Sequence, residues 1–184
     1  MKLAAAGAAM PFFNIACTTS PRTIAAGRKI RVALIGCGWR MRDVLSTKCE
    51  EVEIVALVDP WKKALDEIRG RICKRYPGCG YERIPEFPSY QEFFEKMGDD
   101  VDAVIIATNQ QQHALPALMA MMRGIHVYVE KPIAYSIEEA DLLLKAAKKY
   151  GVVTQCGHHG HSSPIMATAV EYIRSGAIGQ IREV

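Results

Sequence analysis

The sequence predicts an α/β fold, a doubly wound parallel sheet of the Rossmann type. Its short apolar runs are continuous rather than alternating, which indicates strands that are buried on both faces of a sheet. A longer amphipathic stretch follows each run, and this alternation is typical of parallel strands joined by right-handed helical crossovers. A sharp glycine turn, Gly36-Cys37-Gly38, separates the first strand from the first helix. The predicted strands are Ile30–Ile35, Val52–Val58, 103–108, 125–129 and 152–156.

Capping signals set the limits of the helices. Two pairs have the spacing of a capping box, and two glycines stand where a left-handed C-cap is expected. These are Ser89 with Glu92, Ser136 with Glu139, and then Gly124 and Gly151. The predicted helices are 39–47, 61–75, Tyr90–Met97, one that ends at Gly124 with Leu115, Leu118, Met119 and Met122 on one face, one from Ser136 to Tyr150, and one from Pro164 to Ser175.

Two stretches are expected to lack helices. Residues 77–88 are rich in glycine and proline and predict a loop, with room for a short edge strand. Residues 178–184 predict the first strand of a second α/β domain, of which only the start is present.

The composition argues against several classes of protein. Of the 184 residues, 49% are hydrophobic and 23% are charged, which is the balance of a globular chain. A net charge of +3 with scattered basic residues does not favour nucleic acid as a partner. The six cysteines lack Cys-x-x-Cys spacing, so we expect reduced thiols that serve as small apolar residues.

The first 28 residues differ from the rest and predict a leader. Residues 1–17 are Ala-rich and carry one charge, Lys2; they are too short to span a membrane but suit the apolar core of a signal peptide. We therefore expect export to the periplasm, with translation starting upstream of Met1 and with Cys17 as a site for a lipid anchor. The alternative is a helical or disordered extension, which would leave the protein in the cytoplasm.

The glycine turn has the chemistry of a dinucleotide site. Gly36 permits the turn, and Gly38 lets the backbone approach a pyrophosphate at the start of the following helix. Cys37, Trp39 and Arg40 complete this predicted cofactor loop. Met41 replaces the third glycine of the usual pattern, so we expect some displacement of the helix.

An acidic residue ends the second predicted strand. Asp59 lies 23 residues after Gly36, where a carboxylate accepts ribose hydroxyls and repels a 2′-phosphate. The sequence therefore favours NAD over NADP, although Arg40, Arg42 or Lys62 could pair with the phosphate. The alternative interpretation of Asp59 is an Asp-Pro pair that merely forms a turn.

A polar stretch follows the next strand at its carboxyl end. It runs from Thr108 and Asn109 through three glutamines to His113. Open α/β sheets bind ligands at this edge, and amide side chains both donate and accept hydrogen bonds. We predict that Thr108, Asn109 and His113 contact the cofactor; a polar loop without a ligand is the alternative.

Several motifs together resemble the Gfo/Idh/MocA family, which includes glucose–fructose oxidoreductase and inositol dehydrogenase. The resemblance covers residues 30–184 and includes the glycine turn, Asp59, Ala107-Thr108 with His113, residues 124–132 and residues 174–179. Glu130-Lys131-Pro132 after a strand is its most specific feature. The resemblance implies that Glu130, Lys131 and Pro132 lie at the cofactor, that Lys131 is catalytic, and that Pro132 shapes the turn, often through a cis bond.

The same resemblance implies a domain division and an assembly state. Residues 29–160 would form the NAD-binding domain, and residues 161–184 the start of a C-terminal domain for substrate and oligomerisation. The full-length protein would be a homo-oligomer. We expect the 184 residues alone to bind NAD weakly and to lack turnover.

Three histidines follow the last predicted strand of the first domain. His158, His159 and His161 lie on a loop with two glycines and lack a nearby carboxylate or helical spacing. We therefore expect no metal site here. The resemblance implies that this loop faces the substrate, so the three imidazoles are predicted substrate contacts.

The function favoured by these motifs is an NAD-dependent oxidoreductase that acts on a sugar, inositol or related polyol. Lys131 would share or relay the proton of a substrate hydroxyl while the cofactor exchanges hydride. Two alternatives are an NAD-dependent glycosidase that works by transient oxidation and elimination, and a non-catalytic NAD-binding protein. Glu130-Lys131-Pro132 argues against the glycosidase branch, which tends not to keep these residues.

Overall fold

Six parallel strands form one sheet in the order β3-β2-β1-β4-β5-β6. The computed structural model describes residues 20–46 and 49–183. The strands are β1 (Ile30–Ile35), β2 (Val52–Val58), β3 (Glu86–Phe87), β4 (Ala103–Ile106), β5 (His126–Val129) and β6 (Thr154–Cys156). This order confirms the predicted doubly wound sheet, because the chain runs outward from β1 in both directions. The leader prediction for residues 1–19, including an anchor at Cys17, lies outside the described residues.

Helices cover both faces of the sheet. They are α1 (Trp39–Val44), α2 (Lys62–Arg75), α3 (Tyr90–Met97), α4 (Ala114–Met121), α5 (Ile137–Tyr150) and α6 (Pro164–Arg174). One apolar cluster joins β1 and β2 to α1 and α2, and a second joins the opposite face to α3, α4 and α5. As predicted, Leu65, Ile68 and Ile72 form the buried face of α2.

The predicted caps form at both ends of α5, whereas α4 ends at Met121 with Met122 as its C-cap, two residues before the predicted Gly124. Ser136 and Glu139 make a complete capping box at the start of α5, and Gly151 ends this helix with a φ of 63°. At α3 only half of the predicted box forms: the Ser89 hydroxyl accepts from the Glu92 amide, whereas the Glu92 carboxylate binds Lys96. Local sequence therefore determines where these helices begin and end.

Two local predictions were wrong. On the predicted face of α4, Leu115 is 52% exposed and the other three residues are only partly buried, while Ala114, Ala117, Ala120 and Met121 are buried instead. A periodicity of large residues does not reveal a buried face made mainly of small ones. Residues 178–183 form no strand, because a strand needs a hydrogen-bonding neighbour and no described strand pairs with them.

The chain ahead of β1 is bound to the amino edge of the sheet. The Arg22 amide donates to the Gly124 carbonyl at 3.0 Å. Arg28 makes a two-pronged ion pair with Asp102, both N–O distances being 2.8 Å. The Asp102 carboxylate also accepts from the Arg31 amide at 2.7 Å. Residues 22–28, which the sequence placed in the leader, thus contact the sheet.

Helix α6 follows the sheet but does not join its core. It begins at Pro164, as predicted, and every one of its residues is exposed, including Ile165 at 79%. Within the described part of the chain, no helix has the length and hydropathy needed to cross a membrane.

Candidate cofactor site

The carboxyl ends of β1 and β4 meet at the point where the strand order reverses. Gly36 follows β1 with a φ of +86°, and a Cβ there would lie 2.6 Å from the Ala107 carbonyl carbon and from the Thr108 nitrogen. Only glycine satisfies both the left-handed backbone and this close approach. The crevice at such a reversal point is where open α/β sheets bind ligands.

Asp59 ties the glycine turn to the end of β2. Its Oδ2 accepts from the Cys37 amide and its Oδ1 from the Trp61 amide, both at 2.8 Å. Each carboxylate oxygen accepts more than one hydrogen bond, so both can still receive hydroxyl donors from a ligand. The aspartate therefore does more than form an Asp-Pro turn: it positions the loop that would hold a pyrophosphate.

A first cavity of about 580 Å³ opens at this edge. Five residues that the sequence predicts as cofactor contacts line it: Gly36, Gly38, Asp59, Thr108 and Asn109. The cavity is also lined by Gln112, from the predicted polar stretch, and by five residues that were not predicted as contacts: Pro60, Pro88, Ser89, Tyr90 and Gln91. The signal for the Ser89 region was present, since a helix cap directly after a parallel strand places its residues at the ligand-binding edge.

A second cavity of about 690 Å³ adjoins the first and shares Thr108 and Asn109 with it. Its remaining lining residues are Trp39, Arg40, Asp43, Gln110, Gln111, His113, Glu130, Lys131 and His159. The structure thus brings Lys131 and one of the three predicted histidines to a single cavity, next to the cavity that Asp59 lines.

Glu130 is the buried anchor of the second cavity. Its carboxylate is only 4% exposed, and its Oε1 accepts from Arg40 and from the Tyr128 hydroxyl, each at 3.0 Å. Burial alone would raise the pKa of Glu130, but these hydrogen bonds and the charge of Arg40 hold that pKa below its ordinary value. A Cβ on Gly157 would lie 2.6 Å from the same oxygen, so glycine makes room for this contact.

The pairing with Glu130 changes the role predicted for Arg40. Its guanidinium also binds Asp43 at 3.1 Å, so both of its terminal nitrogens have carboxylate partners. Arg40 lines the second cavity, yet its charge is already compensated. It is a support for Glu130 rather than a free cation at the cofactor loop.

His113 joins the two loops that carry the remaining predicted residues. This ring is 1% exposed; its Nδ1 lies 2.6 Å from the Pro132 carbonyl oxygen and its Nε2 lies 3.0 Å from the Thr108 carbonyl oxygen. The Lys131–Pro132 peptide bond is cis. His113 therefore holds the Glu130-Lys131-Pro132 turn against the end of β4.

The three histidines separate in the structure. His159 lines the second cavity, whereas His158 and His161 pack edge to face at 4.8 Å and line another groove beside α6. Residues 20–46 and 49–183 contain no cluster of three His, Cys, Asp or Glu side chains that could hold a metal ion. The two outer histidines do not share the cavity that Lys131 lines.

Cys37 and Met41 belong to the core beneath the cofactor loop. Both are buried, at 1% and 0% exposure. Burial and the nearby charge of Asp59 raise the pKa of the Cys37 thiol to about 12, so it stays protonated and unreactive. Met41, at the position of the third glycine of the usual pattern, packs in the apolar cluster that joins β1 and β2 to α2, while Trp39 is 70% exposed at the rim.

The glycine loop fits a dinucleotide. A Cβ on Gly38 would meet nothing within 4 Å, so no protein atom requires glycine there. Gly38 is the N-cap residue of α1 and, being glycine, has no side chain that could occupy the space in front of the helix. The residues therefore suit a group that must approach the backbone closely, as a pyrophosphate does.

Comparisons with known proteins agree with this geometry. The model of an oxidoreductase family with an NAD-binding Rossmann fold, Gfo/Idh/MocA, matches residues 30–158. Scyllo-inositol 2-dehydrogenase (NAD(+)) of Bacillus subtilis is 29% identical over 83% of this chain and 42% of that protein. Glycosyl hydrolase family 109 protein 2 of Akkermansia muciniphila is 29% identical over 83% of this chain and 32% of that protein.

A solved structure has the same fold. Scyllo-inositol dehydrogenase from Lactobacillus casei, with bound NAD(H) and scyllo-inositol, superposes with a TM-score of 0.68 at 20% identity. The match covers 84% of this chain and 43% of that one. The chain therefore spans less than half the length of these relatives. It belongs to the Gfo/Idh/MocA oxidoreductase family, and residues 30–158 form its NAD-binding Rossmann domain.

Proposed function

We propose that this chain is the cofactor-binding part of an NAD-dependent dehydrogenase for a cyclic polyol or sugar. The observation that carries the proposal is the placement of Lys131 in a cavity that adjoins the one lined by Asp59. Bound NAD supplies hydride exchange at its nicotinamide ring. The chain's own residues would bind the cofactor, orient the substrate and exchange the substrate's hydroxyl proton.

Lys131 is the residue suited to the proton. Its side chain is exposed and has no ion-pair partner among the described residues, whereas both terminal nitrogens of the neighbouring Arg40 bind carboxylates. The backbone below it is fixed, because Glu130 is buried in hydrogen bonds and His113 holds the Pro132 carbonyl. A free ammonium on a fixed turn can hydrogen-bond a substrate hydroxyl and exchange its proton.

The substrate class is supported by polar groups and by the relatives. Asn109 and His159 line the same cavity as Lys131 and offer hydrogen bonds to hydroxyl groups. Two of the matched proteins are named for scyllo-inositol. A ring bearing several hydroxyls is therefore the substrate we propose, with His159 as the one histidine of the loop that contacts it.

Matched glycine substitutions test the cofactor site. Gly38→Ala places a methyl group in the open space of the loop, whereas Gly70→Ala places one in open space on α2. Both variants should fold, as judged by circular dichroism. Calorimetric titration should show NAD binding by the wild type and by Gly70→Ala, and at least a tenfold weaker affinity for Gly38→Ala. Equal NAD affinity in all three proteins would contradict the site.

Chemical labelling tests the position of Lys131. Lysine acetylation, followed by mass spectrometry, should modify Lys131 and the exposed Lys148 in the free chain. Saturating NAD should lower labelling of Lys131 only, and scyllo-inositol added with NAD should lower it further. Unchanged labelling of Lys131 in a chain that does bind NAD would refute its place beside the nicotinamide.

The alternative candidate, NAD-dependent glycoside cleavage, would use the same cofactor pocket. One matched relative is named as a glycosyl hydrolase, and transient oxidation by NAD with elimination would cleave a glycoside. We favour the dehydrogenase because Glu130-Lys131-Pro132 is present. In an assay of the full-length protein, net accumulation of NADH identifies a dehydrogenase, and release of an aglycone without net NADH identifies the glycosidase.

We also propose that the protein is exported. The support is the apolar, Ala-rich run of residues 1–17 ahead of Thr18-Thr19-Ser20-Pro21. Expression of the gene with its upstream codons, followed by fractionation and N-terminal sequencing, tests this. A periplasmic product that has lost the leader supports export, and an unprocessed cytoplasmic product contradicts it.

A further inference from the structure

Four charged side chains form a network beside the Asp59 end of the first cavity, and Glu86 is at its centre. Lys62 Nζ lies 2.7 Å from Glu86 Oε2, and Arg69 Nη2 lies 2.6 Å from Glu86 Oε1. Asp66 also contacts both cations. Glu86 is the more enclosed acid, since its side chain is 19% exposed against 53% for Asp66.

The sheet places this network next to the site of the ribose. Strand β3 pairs with β2 so that Glu86 is opposite Leu57, and the Asp59 amide donates to the Phe87 carbonyl at 3.0 Å. Lys62 is three residues beyond Asp59, in the first turn of α2. A ribose bound to Asp59 would therefore present its 2′-position near Lys62.

The network removes the cations that a 2′-phosphate would need. Hydrogen bonds to Glu86 and then to Asp66 raise the pKa of Lys62, so it stays charged but is held by two carboxylates. Arg42 is paired with Glu67, and Arg40 with Glu130. All three cations that the sequence allowed as phosphate partners thus have acidic partners within the protein.

We propose that Glu86 determines cofactor specificity by holding Lys62 away from a 2′-phosphate. The inference rests on the cofactor site proposed above. The network of Lys62, Arg69, Glu86 and Asp66 is electrically neutral, which leaves the charge of Asp59 unopposed at the ribose. A 2′-phosphate would meet the Asp59 carboxylate, while Arg40, Arg42 and Lys62 already have acidic partners, whereas the ribose hydroxyls of NAD need only acceptors.

The variant Glu86→Gln tests this directly. It keeps the shape of the side chain and removes its charge, which leaves Lys62 with Asp66 as its acidic partner and gives the network a net charge of +1. We expect NADP affinity to rise about three- to tenfold, the range for one partly exposed charge-assisted contact, with NAD affinity changed by less than about twofold. The gain should diminish at high salt, because the contact is near solvent.

Two further variants make the result specific. Glu86→Gln with Lys62→Met should return NADP affinity to the wild-type value, because the phosphate partner is gone. Asp141→Asn, which breaks an exposed Lys–Asp pair on α5, should leave both affinities unchanged. Calorimetry with NAD and NADP on the full 184-residue chain measures all of these, and circular dichroism confirms that each variant is folded.

The outcomes separate this inference from the proposed function. An unchanged ratio of NADP to NAD affinity in Glu86→Gln overturns the inference, and so does an equal loss of both affinities, which would mean a purely structural role. A gain in NADP affinity that persists without Lys62 also overturns it. Failure of the wild type to bind either dinucleotide would instead refute the cofactor site itself.

Discussion

Replacing Arg40 with methionine should destabilise the chain by leaving the Glu130 carboxylate buried without its cation. Removing one partner of a buried ion pair costs about 3–5 kcal/mol. Arg40 is 20% exposed, and Glu130 would keep the Tyr128 hydroxyl as a donor, so we expect about 2–3 kcal/mol at neutral pH. For a domain of this size that corresponds to a melting temperature lower by roughly 4–12 °C.

The dependence on pH distinguishes this cause from a simple loss of packing. The pKa of Glu130 is lowered in the folded chain, so its contribution is complete above the unfolded value of about 4.3 and is lost as the pH falls through the lower folded value. Without Arg40, burial dominates and the pKa of Glu130 should rise. Protonation then relieves the buried charge, and the cost of Arg40→Met should shrink between pH 7 and pH 4.

Urea unfolding at pH 7, 5 and 4, followed by circular dichroism, measures both effects. Lys145→Met is the matched control, because it breaks an exposed pair with Asp141 and should cost less than about 0.5 kcal/mol. Adding Glu130→Gln to Arg40→Met should recover stability at pH 7. The reasoning is refuted if Arg40→Met costs less than about 0.5 kcal/mol at pH 7, or costs the same at pH 4.

Three further predictions concern the core and the two edges of the sheet. Gly36→Ala should unfold the chain or lower its free energy of unfolding by about 3 kcal/mol or more in urea titration, because the added Cβ would overlap the backbone that follows β4. The control Gly78→Ala, also at a positive φ but in open space, should lower it by only about 1–2 kcal/mol. Asp102→Asn should lower the free energy of unfolding by about 1–2 kcal/mol at pH 7. Burial would raise the pKa of Asp102, but Arg28 and the Arg31 amide hold that pKa below its ordinary value. The difference in stability from the wild type should therefore vanish in thermal melts as the pH falls through that lowered value. In the folded chain at pH 8, iodoacetamide should modify the exposed Cys79 but not Cys37; equal labelling of the two thiols would contradict the burial of Cys37.

Most of the fold could be predicted from the sequence because the patterns that determine the strands and helices are local. Continuous apolar runs located β1 and β2 to the residue, and the capping box at Ser136 located α5, since each depends on neighbours within one turn or strand. The edge of the sheet that binds ligands followed from strand order alone. The buried face of α4 was not predicted, because it consists mainly of alanines rather than of large apolar residues.

The candidate site was predicted in its residues but not in its contacts. Gly36, Asp59 and Lys131 stand at strand ends, so their convergence on one edge follows from parallel topology. The separation of the three histidines could not be predicted from the topology: His158 and His161 line a groove beside α6, while His159 lines the cavity of Lys131. Loop backbones decide such directions, and no periodic pattern records them.

By itself, the sequence determined the doubly wound sheet, the glycine turn and the acid at the end of β2, because the periodicity of apolar residues and the conformational freedom of glycine are properties of short segments. Only the tertiary structure showed which cationic side chains near the candidate site are paired with acids of the protein. Arg40 pairs with Glu130 across 90 residues, and Lys62 pairs with Glu86 across 24. These partners meet because crossovers bring distant strands together, and this long-range packing pairs Arg40 and Lys62 with acids while Lys131 has no ion-pair partner in the described part of the chain.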